Sequence, residues 1–237
     1  MQNGIIFYIP AWLTSKIDPV TGFVDLMKPR YINVKESKDF LSRFKSIRFN
    51  EKENYFEFSF NYKDFLRGST DYRKEWTVCT YGERIKSYRN PEKNSEWDSV
   101  TINLTDEFIK LFDKFSIDYR SESLKELILA NEQRDFFENL LNLLALTLQM
   151  RNSKPKTDID YLISPVKNKN GVFYDSRKIA GEDALPTDAD ANGAYNIARK
   201  CLWAIEQIKK AEDISKVKLS ISNAEWLRFA QKGDMNE

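Results

Sequence analysis

The sequence of 237 residues contains no histidine. This absence excludes Ser-His and Cys-His nucleophilic pairs, zinc sites with a histidine ligand and nucleases whose general base is histidine. Only two cysteines occur, Cys79 and Cys201, which is too few for a four-cysteine zinc site. Their apolar sequence neighbours predict buried, reduced thiols. The remaining chemistry rests on carboxylates, Lys, Arg, Ser, Thr or Tyr, and carboxylates that bind a hard metal ion are the natural candidate.

Long apolar runs are missing as well. No stretch approaches 18 apolar residues and no signal peptide opens the chain, so we expect a protein of the cytoplasm without membrane contact. Lys and Arg total 37 against 36 Asp and Glu, which gives a net charge of +1. Because opposite charges can be segregated in space, this balance leaves nucleic-acid binding undecided.

Hydrophobic periodicity predicts a mixed α+β chain. A buried-strand pattern over 4–10 begins within a few residues of the first residue, which predicts a fragment of a longer protein. The strand over 54–62 should be half-buried, with its phenylalanines on one face. The remaining strands are expected over 46–49, 74–81, 84–89, 98–104, 161–165, 171–175 and 217–219.

Six helices are expected from the same pattern. They are predicted over 36–46, from Thr105, over 124–130, over 132–150, over 191–211 and from Asn223. Thr105 and Asn223 are the expected N-caps of their helices, and the helix over 132–150 is expected to be the longest. The order of elements predicts an insertion, in which the two ends of the chain share one domain and residues 20–182 form another.

The most informative segment is 186–199, PTDADANGAYNIAR, in which two carboxylates stand among small residues at a helix start. Asp190 can cap that helix, a role that stabilises by about 1 kcal/mol. The small residues also let a backbone or a ligand approach closely, and a carboxylate fixed there can present an oxygen to Mg²⁺. The residues alone leave both roles open.

Residues 188–195, DADANGAY, running into NIARK, resemble the third RuvC motif of the type V-A CRISPR effector nucleases. Further blocks resemble the same family in order along the chain. These blocks are YIPA at 8–11, TSKIDP at 14–19, TGFV at 21–24, LQMRNS at 148–153, DY at 160–161, ISPV at 163–166, FYDSR at 173–177, ISN at 221–223 and WL at 226–227.

The resemblance implies a mixed α/β Nuc domain inserted into a RuvC-like fold of the ribonuclease H type, of which only the terminal pieces are present. Residues 1–19 would be a RuvC-derived strand and junction, 20–182 the Nuc domain, and 183–237 the last RuvC segment. It implies an RNA-guided endonuclease that hydrolyses target DNA with Mg²⁺, in the bacterial cytoplasm.

The family pattern assigns roles to individual residues. Asp190 matches the final catalytic carboxylate and metal ligand, and Asp188 its neighbour. Arg151 matches an arginine of the Nuc domain that faces the RuvC cleft, where a guanidinium suits phosphate binding better than base chemistry. Asp160, Ser153 and Lys16 match neighbouring, substrate-positioning places.

The other two carboxylate motifs of the family are absent, so the resemblance implies an incomplete Mg²⁺ site and a fragment that is inactive alone. Its partners would be target DNA, guide RNA and the missing upstream RuvC segments, and its uncovered ends predict self-association. A second reading is a non-catalytic DNA-positioning or scaffolding module. The zinc-ribbon nucleases are excluded because no Cys-x-x-Cys pair occurs.

Overall fold

The computed structural model describes residues 8–66, 75–93, 96–179 and 185–232. Most of the strand expected over 4–10 lies outside the described residues. The described helices are α1 Val34–Ser42, α2 Leu104–Lys114, α3 Leu124–Ala130, α4 Arg134–Leu148, α5 Ala189–Lys210 and α6 Asn223–Lys232. The described strands are β1 Ser46–Asn50, β2 Tyr55–Phe60, β3 Trp76–Cys79, β4 Glu83–Asn90, β5 Glu96–Asn103, β6 Arg151–Ser153, β7 Asp160–Lys167 and β8 Phe173–Asp175.

The strands form three small antiparallel sheets, in the orders β1-β2-β3, β4-β5 and β6-β7-β8. Helices and strands are therefore both present in quantity, as the hydrophobic periodicity predicts. None of the described helices is long and apolar enough to cross a membrane.

The main core lies between the β1-β2-β3 sheet and helices α1 to α4. Phe56 and Phe58 of β2 place their rings 5.5 and 5.6 Å from the ring of Phe108 on α2. All three side chains are fully buried, and each contributes about 1.5–3 kcal/mol through removal from water. This packing, rather than helix propensity, holds α2 against the sheet.

The expectation that β2 is half-buried is wrong. Tyr55 and Glu57, on the face opposite the phenylalanines, are buried too. Tyr55 packs edge-on against Phe173 of β8, and the carboxylate of Glu57 accepts hydrogen bonds from Arg48 and Asn50. A charged residue in the strand pattern is therefore buried here, with its carboxylate hydrogen-bonded to neighbouring side chains.

Several expected helix ends are also wrong. Helix α1 begins earlier than expected because Asn33 caps it, its amide oxygen accepting the N–H of Glu36. Asn103 caps α2, whereas Thr105 is buried and donates to the carbonyl of Thr80. At α6 the backbone N–H of Glu225 donates to the hydroxyl oxygen of Ser222, so Ser222 and not Asn223 supplies the cap.

Two further corrections concern the second half of the chain. The longest described helix is α5, with 22 residues against 15 for α4. The strand expected near 217–219 is absent, because residues 217–219 follow a short 3-10 turn and pair with no described strand.

A second core joins the two ends of the described chain. Ile17 and Val24 pack with Ile221, Trp226 and Leu227, the last two from α6. Gly22 makes this contact possible, since its φ is +72° and a Cβ there would lie 2.7 Å from the backbone of Ala230. The segment before α1 is therefore fixed against the last helix.

Candidate functional site

A cavity of about 490 Å³ opens between residues 13–28 and the end of α4. Three cationic side chains, those of Lys16, Lys28 and Arg151, line it, whereas Asp25 is the one carboxylate in its wall. Apolar residues such as Leu148 form its floor. We call this space the basic cavity.

Arg151 stands at the start of β6, three residues after the end of α4 at Leu148. Its Nη2 lies 2.9 Å from Oδ2 of Asp160 on the neighbouring strand β7, and half of the Arg151 side chain is exposed. The other carboxylate oxygen of Asp160 is buried and has no hydrogen-bond partner among the described residues. Asp160 therefore orients the guanidinium of Arg151 with one oxygen. Most of the five N–H groups of Arg151 remain available to a ligand.

Two buried groups hold the backbone on either side of Arg151. The fully buried Arg84 donates from Nε to the carbonyl of Gln149 at 3.0 Å. Burial lowers the pKa of Arg84 to about 10. This value is still well above neutral pH, so the guanidinium stays charged. Asn152, also fully buried, accepts from the N–H of Ile85 and donates to the carbonyl of Met150. Arg151 is thus carried on a fixed segment rather than on a loose loop end.

Lys28 was missed by sequence reasoning. Its backbone has a φ of +48°, and Leu13, in the wall of the same cavity, has a φ of +59°. Non-glycine residues in this region are uncommon and often mark functional positions. The carboxylate of Asp25 accepts the N–H groups of Met27 and Lys28 and so holds the turn. Only the Asp25 turn could have been suspected from the sequence.

Helix α5 grips residues 10–17 through a buried polar stripe at four-residue spacing. The amide of Asn192 donates to the carbonyls of Ser15 and Ile17 at 3.3 and 2.9 Å. The amide of Asn196 donates to the carbonyl of Thr14 at 3.0 Å.

The ammonium of Lys200 completes this polar stripe. It donates to the carbonyls of Pro10 and Trp12 at 2.7 and 3.0 Å. All three side chains of the stripe are at least 99% buried. The stripe fixes the N-terminal end of α5 beside the Ser15–Lys16 edge of the basic cavity.

Asp190 lies in the first turn of α5, two residues before Asn192, and its side chain is exposed. The N-cap is Asp188, whose Oδ1 accepts the N–H of Ala191 at 2.8 Å, so the capping role considered for Asp190 is wrong. The carboxylate of Asp190 accepts no hydrogen bond from any described residue, so both of its oxygens are open to a ligand. It does not itself line the basic cavity.

The predicted site residues are thus only partly brought together. Lys16 and Arg151 share the basic cavity, and Asp160 is ion-paired to Arg151. Ser153 lies opposite Asp160 in the β6-β7 register and lines none of the cavities that we describe. Asp190 does not line the cavity, but Asn192, two residues later in α5, contacts Ser15 in the cavity wall.

The described residues do not make a metal site. No group of three or more Asp, Glu, Cys or His side chains close enough to hold a metal occurs among them. Asp188 is engaged as a cap, which leaves Asp190 as a single carboxylate in its turn. Mg²⁺ keeps its water shell unless several anionic oxygens replace it, so one carboxylate does not hold the ion.

The chemistry within reach is therefore phosphate binding. A guanidinium does not deprotonate in proteins and cannot act as a base, but its planar N–H groups match a phosphate. Comparison with protein-family models adds one finding: residues 17–178 match the model described as NUC, a nuclease domain. The match includes every residue that lines the basic cavity except Leu13, Ser15 and Lys16.

Proposed function

Because the chain belongs to the nuclease-domain family, we propose that it holds a DNA strand for phosphodiester hydrolysis within a type V-A CRISPR RNA-guided endonuclease. Family membership indicates cleavage of nucleic acid in general. The narrower assignment to type V-A effectors rests on the sequence blocks at 8–24, 148–177 and 188–200. In that enzyme the guide RNA would read the target by base pairing, and this chain would act near the cutting centre.

The basic cavity is the observation that carries the proposal. Its two lysines and one arginine outnumber its single carboxylate, so it attracts an anion. A phosphate need not displace Asp160, because Asp160 contacts only Nη2 of Arg151 and half of the Arg151 side chain is exposed. Hydrogen bonds from a guanidinium to a phosphate are charge-assisted and can be bidentate.

Asp190 has a separate part in the proposal. We infer that it supplies one carboxylate of a Mg²⁺ site whose other ligands come from segments outside this sequence. Bound there, the metal would activate water and stabilise the leaving oxygen. The residues of this chain hold the carboxylate at a helix start that the Asn192 contacts fix in place. On this proposal residues 1–19 and 183–237 belong to the RuvC-like domain and 20–182 to the Nuc domain.

The experiment is reconstitution of cutting. The chain is mixed with the upstream part of such an effector, guide RNA, target DNA and Mg²⁺, and strand cleavage is followed by gel electrophoresis. Asp190→Asn should abolish cutting, and Arg151→Gln should slow it by about tenfold or more. Arg134→Gln is the control, since this exposed arginine does not line the basic cavity. The variant should cut like the unaltered chain.

The second candidate function is a non-catalytic positioning or scaffolding module. The absence of a three-carboxylate cluster from the described residues favours it. It predicts that Asp190→Asn leaves cutting unchanged while Arg151→Gln still weakens it. Cutting by the chain alone with Mg²⁺, lost in Asp190→Asn, would contradict both candidates.

A further inference from the structure

A second cavity of about 550 Å³ shares no lining residue with the basic cavity. The β7-β8 hairpin forms one wall, and Tyr55 of β2 and Tyr81 after β3 form the other. We call it the aromatic cavity. Its volume is within the range of small-molecule sites and accommodates a nucleotide.

Stacked rings form the aromatic wall. The rings of Tyr81 and Phe173 lie 4.1 Å apart and only 7° from parallel, and both side chains are partly exposed. Tyr55 stands perpendicular to Phe173 at 5.7 Å. Because the two rings cover each other's inner faces, a ligand can stack only on an outer face of the pair. Such an outer face beside open space is a preformed stacking platform, since every nucleobase has a π face.

Two lysines stand beside these rings. Nζ of Lys178 donates to the hydroxyl of Tyr81 at 2.6 Å. Nζ of Lys167 lies 5.5 Å from the ring centres of both Tyr55 and Phe173. The hydrogen bonds to Tyr81 and Tyr55 raise the pKa of Lys178 and Lys167 respectively, so both ammonium groups are charged at neutral pH.

Two acidic side chains lie near these lysines, and each forms a long or partly exposed ion pair with one of them. Asp175 is buried and engaged mainly by the guanidinium of Arg177, with an Nη2 to Oδ2 distance of 3.0 Å, and the same Oδ2 lies 3.9 Å from Nζ of Lys178. Glu53 pairs with Lys167 at 3.2 Å, but both groups are partly exposed. Such a pair is worth about 0–1 kcal/mol and yields to a phosphate.

The hairpin turn leaves an entrance. A Cβ added to Gly171 would meet nothing within 4 Å, so the space beside the turn is open. The turn itself is fixed, because the amide oxygen of Asn168 accepts the N–H groups of Asn170 and Val172. A ligand can therefore reach the rings without rearrangement of the hairpin.

We propose that the aromatic cavity binds one nucleotide of a single-stranded nucleic acid, with the base on the Tyr81–Phe173 platform and its phosphate between Lys167 and Lys178. The combination of a flat apolar surface and two adjacent cations matches a base joined to a phosphate better than an aliphatic or a purely anionic ligand. The site gives the strand a second anchor. The inference rests on the proposed function, in which the chain holds a strand.

The test compares two oligomers of equal charge, thymidine and abasic strands of about twelve nucleotides, by fluorescence anisotropy. The unaltered chain should bind the thymidine strand about fivefold or more tightly than the abasic one. Phe173→Leu should remove most of that preference and leave binding of the abasic strand unchanged. Arg151→Gln should weaken both strands alike and keep the preference.

Equal affinity of the unaltered chain for the two strands would overturn the inference while leaving the proposed function intact. If neither strand binds, the proposed function fails with it. A measurement without substitution guards against misfolding of Phe173→Leu: strands carrying 5-iodouracil are photocrosslinked to the unaltered chain and the attached peptides are sequenced. Attachment at Tyr55, Tyr81 or Phe173 supports the site, and attachment only elsewhere contradicts it.

Discussion

Removal of the Asn192 side-chain amide should weaken the attachment of α5 and lower the free energy of unfolding by more than the small size of the amide suggests. The side chain is fully buried and donates to the carbonyls of Ile17 and Ser15, and its own oxygen accepts from Asn196 at 2.9 Å. In Asn192→Ala these hydrogen bonds, worth about 1 kcal/mol each, are lost and buried carbonyls remain without a donor, at about 1–3 kcal/mol. Alanine returns about 0.5 kcal/mol through helix propensity. We expect a net loss of about 3.5–5.5 kcal/mol in the free energy of unfolding.

Urea unfolding followed by circular dichroism measures this loss, provided that the denaturant slope stays constant. Asn139→Ala is the matched control, because Asn139 is exposed in the middle of α4 and donates only to the carbonyl of Asp135. That variant should be neutral or slightly stabilised. If Asn192→Ala loses no more stability than Asn139→Ala, the polar stripe does not hold α5 and the reasoning is refuted.

Three further predictions concern stability and reactivity. Gly22→Ala should cost about 2–4 kcal/mol, since φ is +72° and the new Cβ meets α6, whereas Gly171→Ala, with open space, should cost about 1 kcal/mol in thermal unfolding. A thiol reagent should modify the partly exposed Cys201 in the native chain but not the buried Cys79, whose pKa burial raises to about 12; equal rates would contradict this. Burial lowers the pKa of Lys200 to about 8 in the folded state. Above that pH the folded state therefore binds fewer protons than the unfolded state. The stability of the unaltered chain relative to Lys200→Met should therefore rise between pH 8 and 10.5, and a flat difference would contradict it.

Periodicity was sufficient where packing is simple. The β1-β2 pair and helices α3 and α4 lie close to their expected positions, because their apolar residues repeat at the period of the element that buries them. The β4-β5 pair also lies close to its expected position, although its apolar residues do not alternate. The strand expected near 217–219 fails because an alternating pattern needs a partner strand, which a local pattern cannot supply.

The site was harder to predict, for physical reasons. Lys16 and Arg151 are far apart in sequence, and the resemblance named both without indicating that they share a cavity. The position of Lys28 in the cavity wall depends on a left-handed backbone conformation, which a lysine in the sequence does not indicate. In the sequence, Asn192 has the polarity of a surface residue. Its buried role becomes visible only in the structure, where it donates to the carbonyl of Ile17, far earlier in the chain.

On the proposed function, the basic cavity binds the phosphates of a DNA strand. The most direct measurement is the affinity for a single-stranded oligomer over a series of salt concentrations. Each phosphate contact contributes about 0.7 to the slope of log affinity against log salt, so Arg151→Gln and Lys28→Gly should each flatten it by about 0.7. Glycine suits the φ of +48° at position 28, so Lys28→Gly removes charge without backbone cost.

Lys156→Gly is the control, since this exposed lysine also has a positive φ, +62°, but lies outside the cavities described above. The slope for Lys156→Gly should equal that of the unaltered chain. An unchanged slope in both Arg151→Gln and Lys28→Gly, or an equal change in Lys156→Gly, would contradict the assignment of the basic cavity to DNA.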